Sequence, residues 1–210
     1  MSKQSECKRC GMCCRKGGPA LHKEDITLLR SGVLPLDNLV TVRKNEPAYR
    51  PDLDTIMPVE NEFIKLGGKG KSWECFFYDS THSSCLIHAK RPVECRLLQC
   101  WDTREITAVI GKDCLTRLDI IAKDDPIISY ITRHEILCPY DKVNQLVNLL
   151  QSDANSSDIK SKLAAVVNND LGLRDEAIRK YDLSLGMELF YFGRPVFQVI
   201  DFDNLVKATN

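Results

Sequence analysis

The sequence has no excess of either charge: Lys plus Arg and Asp plus Glu each number 29 among 210 residues. That balance removes the electrostatic footprint by which polyanion-binding domains show themselves, so nucleic acid has no support as a partner. Long apolar runs are missing as well. None approaches the roughly 18 residues that a membrane-spanning helix needs, and no membrane association is expected. The opening Met-Ser-Lys-Gln-Ser-Glu contains no apolar segment of the secretory kind, which leads us to expect a reducing, cytoplasmic setting. Histidine is scarce, with His22, His82, His88 and His134 scattered along the chain.

Cysteine is abundant. Cys7, Cys10, Cys13 and Cys14 fall within eight residues, followed by Cys75, Cys85, Cys95, Cys100, Cys114 and Cys138. Five disulfides are one reading of ten thiols, but adjacent Cα atoms lie about 3.8 Å apart and a disulfide usually needs at least about 4.4 Å, so a Cys13–Cys14 bridge would be strained. In a reducing compartment, clustered thiols serve metal or redox chemistry. A thioredoxin-type pair needs a βαβ setting that the Lys- and Gly-rich start does not offer. Metal binding is therefore the expectation. Two cysteines separated by two residues close on one ion through a tight knuckle, and Gly11 supplies the permissive φ that such a turn often needs. The C-x2-C-x2-C run of Cys7, Cys10 and Cys13 also matches three corners of a four-iron cluster, the fourth coming from elsewhere. Zinc and a 4Fe-4S cluster both remain open, and iron–sulfur ranks slightly ahead.

Further thiols follow in two segments. Residues 73–78 and 85–88 read as strands around a polar turn at 79–84, a hairpin with Cys75 in one arm and Cys85 in the other. In a regular hairpin Cys75 lies opposite a residue near 88, so the two thiols are offset by roughly 10 Å of strand and do not meet on one small ion. Pro92 then opens a short helix. Arg91 and Cys95 are four apart and share a face, so the guanidinium is expected to offset thiolate charge beside the site, with Arg96 in a similar role. Cys95 and Cys100 are five apart, about 140° around a helix, and address the same centre only if the helix ends between them. The Gly67–Gly70 run lacks a full phosphate-loop pattern and reads as a linker.

The order Cys7-x2-Cys10-Gly-x-Cys13-Cys14, Cys75-Phe-Phe, Cys85-x-Ile-His and Arg91-Pro-x-x-Cys95-Arg96 resembles the YkgJ-type cysteine cluster family, a zinc- or iron-chelating CxxCxxCC domain. The resemblance covers roughly residues 5 to 102. Family members show C-P-F-L and C-x-I-Y-x-x-R-P-x-x-C-R segments; here Phe76 replaces the proline and His88 stands where tyrosine is common. The resemblance implies a metal-binding fold. Some proteins that share the domain are described as flagellin lysine N-methylases, so peptidyl-lysine methyl transfer is an alternative, although no glycine-rich nucleotide loop follows a predicted strand. No catalytic constellation is recognised otherwise. A structural zinc module for interactions is the other alternative.

The candidate metal ligands are Cys7, Cys10, Cys13, Cys14, Cys75, Cys85, Cys95 and Cys100, with His88 a supplementary candidate. Eight thiolates exceed the four that one zinc or one four-iron cluster takes, so either two centres form or several sulfurs stand outside the coordination shell. Cys114 and Cys138 are expected to be buried thiols. Helices are predicted over 22–30, 102–110, 125–137, 141–151 and 157–168 from caps and apolar spacing. The apolar 187–200 segment, weighed as a docking surface for a protein partner, is expected instead to complete the core around a turn at Gly193-Arg-Pro195. The expected fold is α+β and mainly helical: a cysteine-cluster metal-binding domain with a β-hairpin over residues 1–104, and a helical region over 105–210 packed on it. Its role would be electron transfer or metal handling.

Overall fold

A computed structural model describes residue 4, residues 6–70 and residues 72–200. A short helix α1 (Met12–Arg15) begins at Gly11, and a 3-10 turn over Lys23–Asp25 runs into α2 (Ile26–Arg30). Gly32, at φ 72°, closes α2 as expected. Next come β1 (Leu39–Val42), β2 (Pro47–Arg50), β3 (Thr55–Pro58) and β4 (Phe63–Leu66). All four residues of β1 are buried. It has no polar alternation to betray it, because both its faces are covered. β1 pairs antiparallel with β4, Leu39 opposite Leu66, while β2 and β3 form a separate hairpin.

The thiol-bearing segment forms two small ladders, where the sequence predicted one hairpin. β5 (Gly68–Lys69) pairs with β6 (Glu74–Cys75), and β7 (Tyr78–Asp79) pairs with β8 (Ser84–Cys85). The predicted register holds, with Tyr78 opposite Cys85, but the first arm is cut between Cys75 and Tyr78 and Cys75 pairs with Gly68 instead.

Among the described residues seven helices follow in order: α3 (Val93–Leu97), α4 (Arg104–Val109), α5 (Ile127–Leu137), α6 (Tyr140–Ser152), α7 (Ser157–Tyr181), α8 (Leu185–Phe192) and α9 (Val196–Val199). The fold is α+β and mainly helical, as expected. Helix α7 runs thirteen residues past its predicted end at 168. The polar pair Asp170 and Arg174, which reads as a solvent face, is buried instead: Arg174 Nε donates to Asp170 at 2.8 Å, and His134 Nε2 of α5 meets the same carboxylate oxygen at 2.5 Å.

One core joins the two halves of the chain. Leu21, Leu39, Ile64, Leu66, Tyr78 and Leu115 pack in the same cluster as Ile127, Ile131, Ala177, Phe190 and Phe192. Helix α8 lies on β1, where the Thr41 hydroxyl donates to the Phe190 carbonyl at 2.5 Å. A buried ionic network reinforces the junction. Arg43 donates two bonds to Glu135 of α5 and one to the Cys138 carbonyl, and Arg117 bridges Glu62 and Glu135. A second cluster, with Val143, Leu146, Leu150, Leu163, Val166 and Val196, holds α6, α7 and α9 together. Among the described residues no helix is long and apolar enough to cross a membrane.

Candidate metal centre

All ten cysteines are free thiols. Cys7 and Cys10 lie just before α1, Cys13 and Cys14 within it, Cys75 ends β6, Cys85 ends β8, and Cys95 sits in α3. Helix α3 stops at Leu97, so Cys100 lies beyond it on a turn closed by an Asp102 amide bond to the Gln99 carbonyl at 3.0 Å. A helix end therefore lies between Cys95 and Cys100.

Tyr78 is the platform under the first motif. It is fully buried and its hydroxyl accepts from Arg15 Nε at 3.0 Å, with the Arg15 guanidinium 5.7 Å from the ring centre. Gly11, at φ 73°, lies so close that a Cβ there would sit 2.6 Å from the Tyr78 hydroxyl oxygen. The Lys69 ammonium also donates to the Tyr78 carbonyl. Tyr78 thus ties the Gly11 knuckle to the ladder that carries Cys85. Nothing in the local sequence shows this, because the partners are more than sixty residues apart.

Helix α3 is fixed from its other side. The buried Asp25 carboxylate accepts from the Val93 and His22 amides, both at 3.0 Å, and Glu94 accepts from the Ala20 amide at 2.9 Å. The first of these satisfies the Val93 amide at the start of α3, which would otherwise be orphaned, and the last ties the helix to Ala20. Asp25 and Glu94 position the segment that bears Cys95, and sequence spacing gave no sign of either role.

The sulfurs are fed by backbone amides in a repeated pattern. The Arg9 amide donates to Cys7 Sγ at 3.4 Å, the Phe77 amide donates to Cys75, and the Ile87 amide to Cys85. In each case the donor is two residues after the thiol, and an N–H directed at sulfur favours the thiolate. Cys13 and Cys14 have sulfurs 4.0 Å apart. Interaction with Cys13 and Cys85 pushes the Cys14 thiol far up. Cys14 in turn lowers Cys13 to about 6 and Cys85 to about 6, with Arg91 adding a smaller pull on each. Burial pushes Cys75 and Cys95 up.

Arg91 and Arg96 take roles narrower than expected. Arg91 donates to the carbonyls of Cys95 at 3.1 Å and His88 at 2.8 Å, so it holds backbone while its charge acts on the sulfurs. Arg96 turns away, donating to the Arg91 carbonyl at 3.1 Å and pairing with Glu24 at 3.6 Å. His88 Nδ1 faces the Arg91 guanidinium at 3.4 Å. Cys138 is fully buried with its thiol toward the Val166 carbonyl, and Cys114 is half-buried, burial raising it to about 11.

Residues 6–115 match the model of the CxxCxxCC family, described as "Putative zinc- or iron-chelating domain". The chain belongs to this family. The CxxCxxCC match encloses the eight thiols of the linked motifs and Cys114, and leaves out Cys138. No curated protein and no solved structure matches the chain.

The donors fit the chemistry that the CxxCxxCC description names. Soft thiolates suit zinc and iron. Among the described residues, however, no three His, Cys, Asp or Glu side chains stand close enough to hold an ion. The thiols are gathered but not closed.

The knuckle gives a direct test. Gly11→Ala should lower metal retention sharply, since the new methyl meets Tyr78, whereas Gly70→Ala should not. Both glycines have positive φ, but nothing lies within 4 Å of a Cβ at Gly70, so Gly70→Ala carries only the backbone strain of roughly 1–2 kcal/mol. Metal content per chain after desalting measures the difference. Equal retention in the two variants would show that the Tyr78 contact does not shape the site.

Proposed function

We propose that this chain is an iron–sulfur protein that transfers electrons, with Cys7, Cys10 and Cys13 holding a cluster near the surface. The single observation behind the reading is that this C-x2-C-x2-C run is exposed and is joined by a fourth exposed thiol, Cys100, whose neighbours include Cys7, Cys10 and Cys13. Three corners from one run and a fourth from a distant segment is the ligand arrangement of four-iron clusters. Such a cluster would supply one-electron chemistry. Exposure matters for it, because an electron must pass to a partner at the surface.

The chain's own residues would tune that chemistry. The Arg9 amide bond to Cys7 withdraws charge from sulfur, and Arg91 adds positive charge near Cys13. Hydrogen bonds to sulfur and nearby cations both favour the reduced cluster and raise its potential.

The test is anaerobic purification with iron and sulfide available, followed by metal and sulfide analysis and a visible spectrum. A brown protein that bleaches on reduction and recovers on reoxidation is expected. A colourless protein with stoichiometric zinc would overturn the reading in favour of a structural zinc module.

A further inference from the structure

Three stretches of the chain carry cations and no acids. Residues 7–23 contain Lys8, Arg9, Arg15, Lys16 and Lys23, residues 63–73 contain Lys65, Lys69 and Lys71, and residues 80–93 contain Lys90 and Arg91, in a chain whose formal charge is zero. The fold packs the three together. The Leu21 amide donates to the Ile64 carbonyl at 2.8 Å and the Leu66 amide to the Pro19 carbonyl at 2.9 Å, while Arg15 reaches Tyr78 and Tyr78 pairs with Cys85. Lys8, Arg9, Arg15, Lys16 and Lys90 are exposed there. The intervening residues hold two acids: Glu74 is half-buried and Asp79 meets His82 Nδ1 at 2.6 Å.

Four large apolar side chains stand out of the same segments. Met12, Trp73, Phe76 and Leu86 are 55%, 40%, 43% and 67% exposed. Helix α1 lies along residues 73–78: a Cβ at Gly11, before its start, would sit 2.6 Å from the Tyr78 hydroxyl oxygen, and one at Gly17, beyond its end, 3.6 Å from the Trp73 carbonyl oxygen. Leu86 continues the row. Its amide donates to the Phe77 carbonyl at 2.9 Å, and the Phe77 ring is 5.9 Å from that of Phe76. Exposed apolar side chains set among cations, with a tryptophan included, are the composition of a surface that rests in the headgroup region of a bilayer. Lipid takes up such side chains without the complementary shape that a protein partner has to supply.

We infer that this face docks on an anionic phospholipid surface, with Lys8, Arg9, Lys16 and Lys90 among the headgroups and Met12, Trp73, Phe76 and Leu86 entering the interface. That no helix among the described residues is long and apolar enough to cross a membrane bears on spanning a bilayer, not on resting against one. Charge alone gives a salt-sensitive attraction and a few apolar side chains alone a marginal attachment, so the two act as paired signals. A four-thiolate site round a divalent ion keeps a net charge of about −2, which the exposed cations named here outnumber. The inference is independent of which metal the thiols hold. It places α1, with Cys13 and Cys14, at the bilayer surface.

Flotation of the full, anaerobically purified chain on lipid vesicles tests this. Vesicles of phosphatidylcholine with about one quarter phosphatidylglycerol should bind it at least about tenfold better than pure phosphatidylcholine vesicles. Salt at about 1 M, where the Debye length is about 3 Å, should release it. Lys8→Gln with Lys16→Gln should weaken binding roughly thirtyfold, at about fivefold per cation, and Met12→Gln with Leu86→Gln roughly tenfold. Lys142→Gln with Lys160→Gln, at exposed positions of α6 and α7, should change it less than about twofold. Circular dichroism shows whether each variant is folded. In Trp101→Phe, the emission of Trp73 should shift to the blue when the anionic vesicles are added. Equal binding to both kinds of vesicle, or binding to the anionic kind that neither pair of substitutions on this face weakens, would overturn the inference. Absence of binding to either would also overturn it and leave the face to an acidic protein.

Discussion

Asp170→Ala is expected to destabilise the fold by about 3–5 kcal/mol, the range for breaking a buried ion pair from one side. Asp170 is fully buried in α7 and accepts from three donors: His134 Nε2 at 2.5 Å, Arg174 Nε at 2.8 Å and the Val196 amide at 2.8 Å. Its removal orphans all three. Arg174, only 2% exposed, keeps Glu188 at 2.9 Å and the carbonyls of Gly193 and Phe192, but it loses its nearest full counter-charge. At about 2–4 °C per kcal/mol for a chain of this size, thermal unfolding should fall by roughly 6–20 °C. Adding Arg174→Met to Asp170→Ala should recover much of that loss, because the stranded charge is gone. A melting temperature within about 2 °C of the unaltered chain for Asp170→Ala alone would refute the account.

The same cluster sets the acid stability. Burial lowers His134 to about 4 from its ordinary 6.5, despite the opposing pull of Asp170. The folded state therefore prefers the neutral ring, and the stability this contributes is full above pH 6.5 and lost as pH falls toward 4. Burial alone would raise Asp170, but the His134 hydrogen bond and the Arg174 charge outweigh it and hold the carboxyl at about 2. Its contribution is present above the ordinary value near 3.8 and is lost as pH falls through 2. Both losses run in one direction. Stability should decline from about pH 6.5 and more steeply below about pH 4, and His134→Gln should flatten the upper part of that decline.

Local punctuation in the sequence carried most of the helix starts and stops. Pro126 and Gly193 stand where α5 begins and α8 ends, because a missing amide and a positive φ act within one turn of chain. The extension of α7 was not legible for the opposite reason. Asp170 and Arg174 are polar, and a periodicity reading assigns polar positions to solvent; partners beyond the predicted helix, His134 on α5 and Glu188 and Val196 further on, make their burial tolerable. β1 has no alternation to reveal it, since all four of its residues are buried and α8 packs on the strand.

At the thiols, the sequence named the candidate ligands and left open how the segments that bear them pack. Motif spacing reaches no further than one segment. The Tyr78 platform under Gly11 and the bond from Arg15 to the Tyr78 hydroxyl depend on contacts between segments that are far apart in the chain. Even so, the offset of Cys95 and Cys100 was a real clue. Two thiols that cannot share a centre on one helix imply either a helix end or two destinations, and α3 ends between them.

Metal removal is expected to lower stability strongly without unfolding the chain at room temperature. Thiolate metal sites in very small domains carry the whole folding free energy, on the order of 10 kcal/mol. Here the core does not depend on them: Leu39, Ile64 and Leu66 of the β1–β4 ladder pack with Ile131, Phe190 and Phe192 of the helices, and none of the exposed thiols belongs to that cluster. The metal then acts by mass action on an already folded chain. At free metal a thousandfold above Kd it adds about 4 kcal/mol, equivalent to roughly 8–16 °C in melting temperature at this chain length. Chelation should reverse that shift. It should also expose the thiols before α1 and after α3 to alkylation while the far-ultraviolet circular dichroism of α5 to α8 persists. Because β1 and α8 share one core, the chelated chain should still melt in a single transition. A chelated chain with random-coil dichroism at 25 °C would show instead that the ion, and not the shared core, holds the fold together.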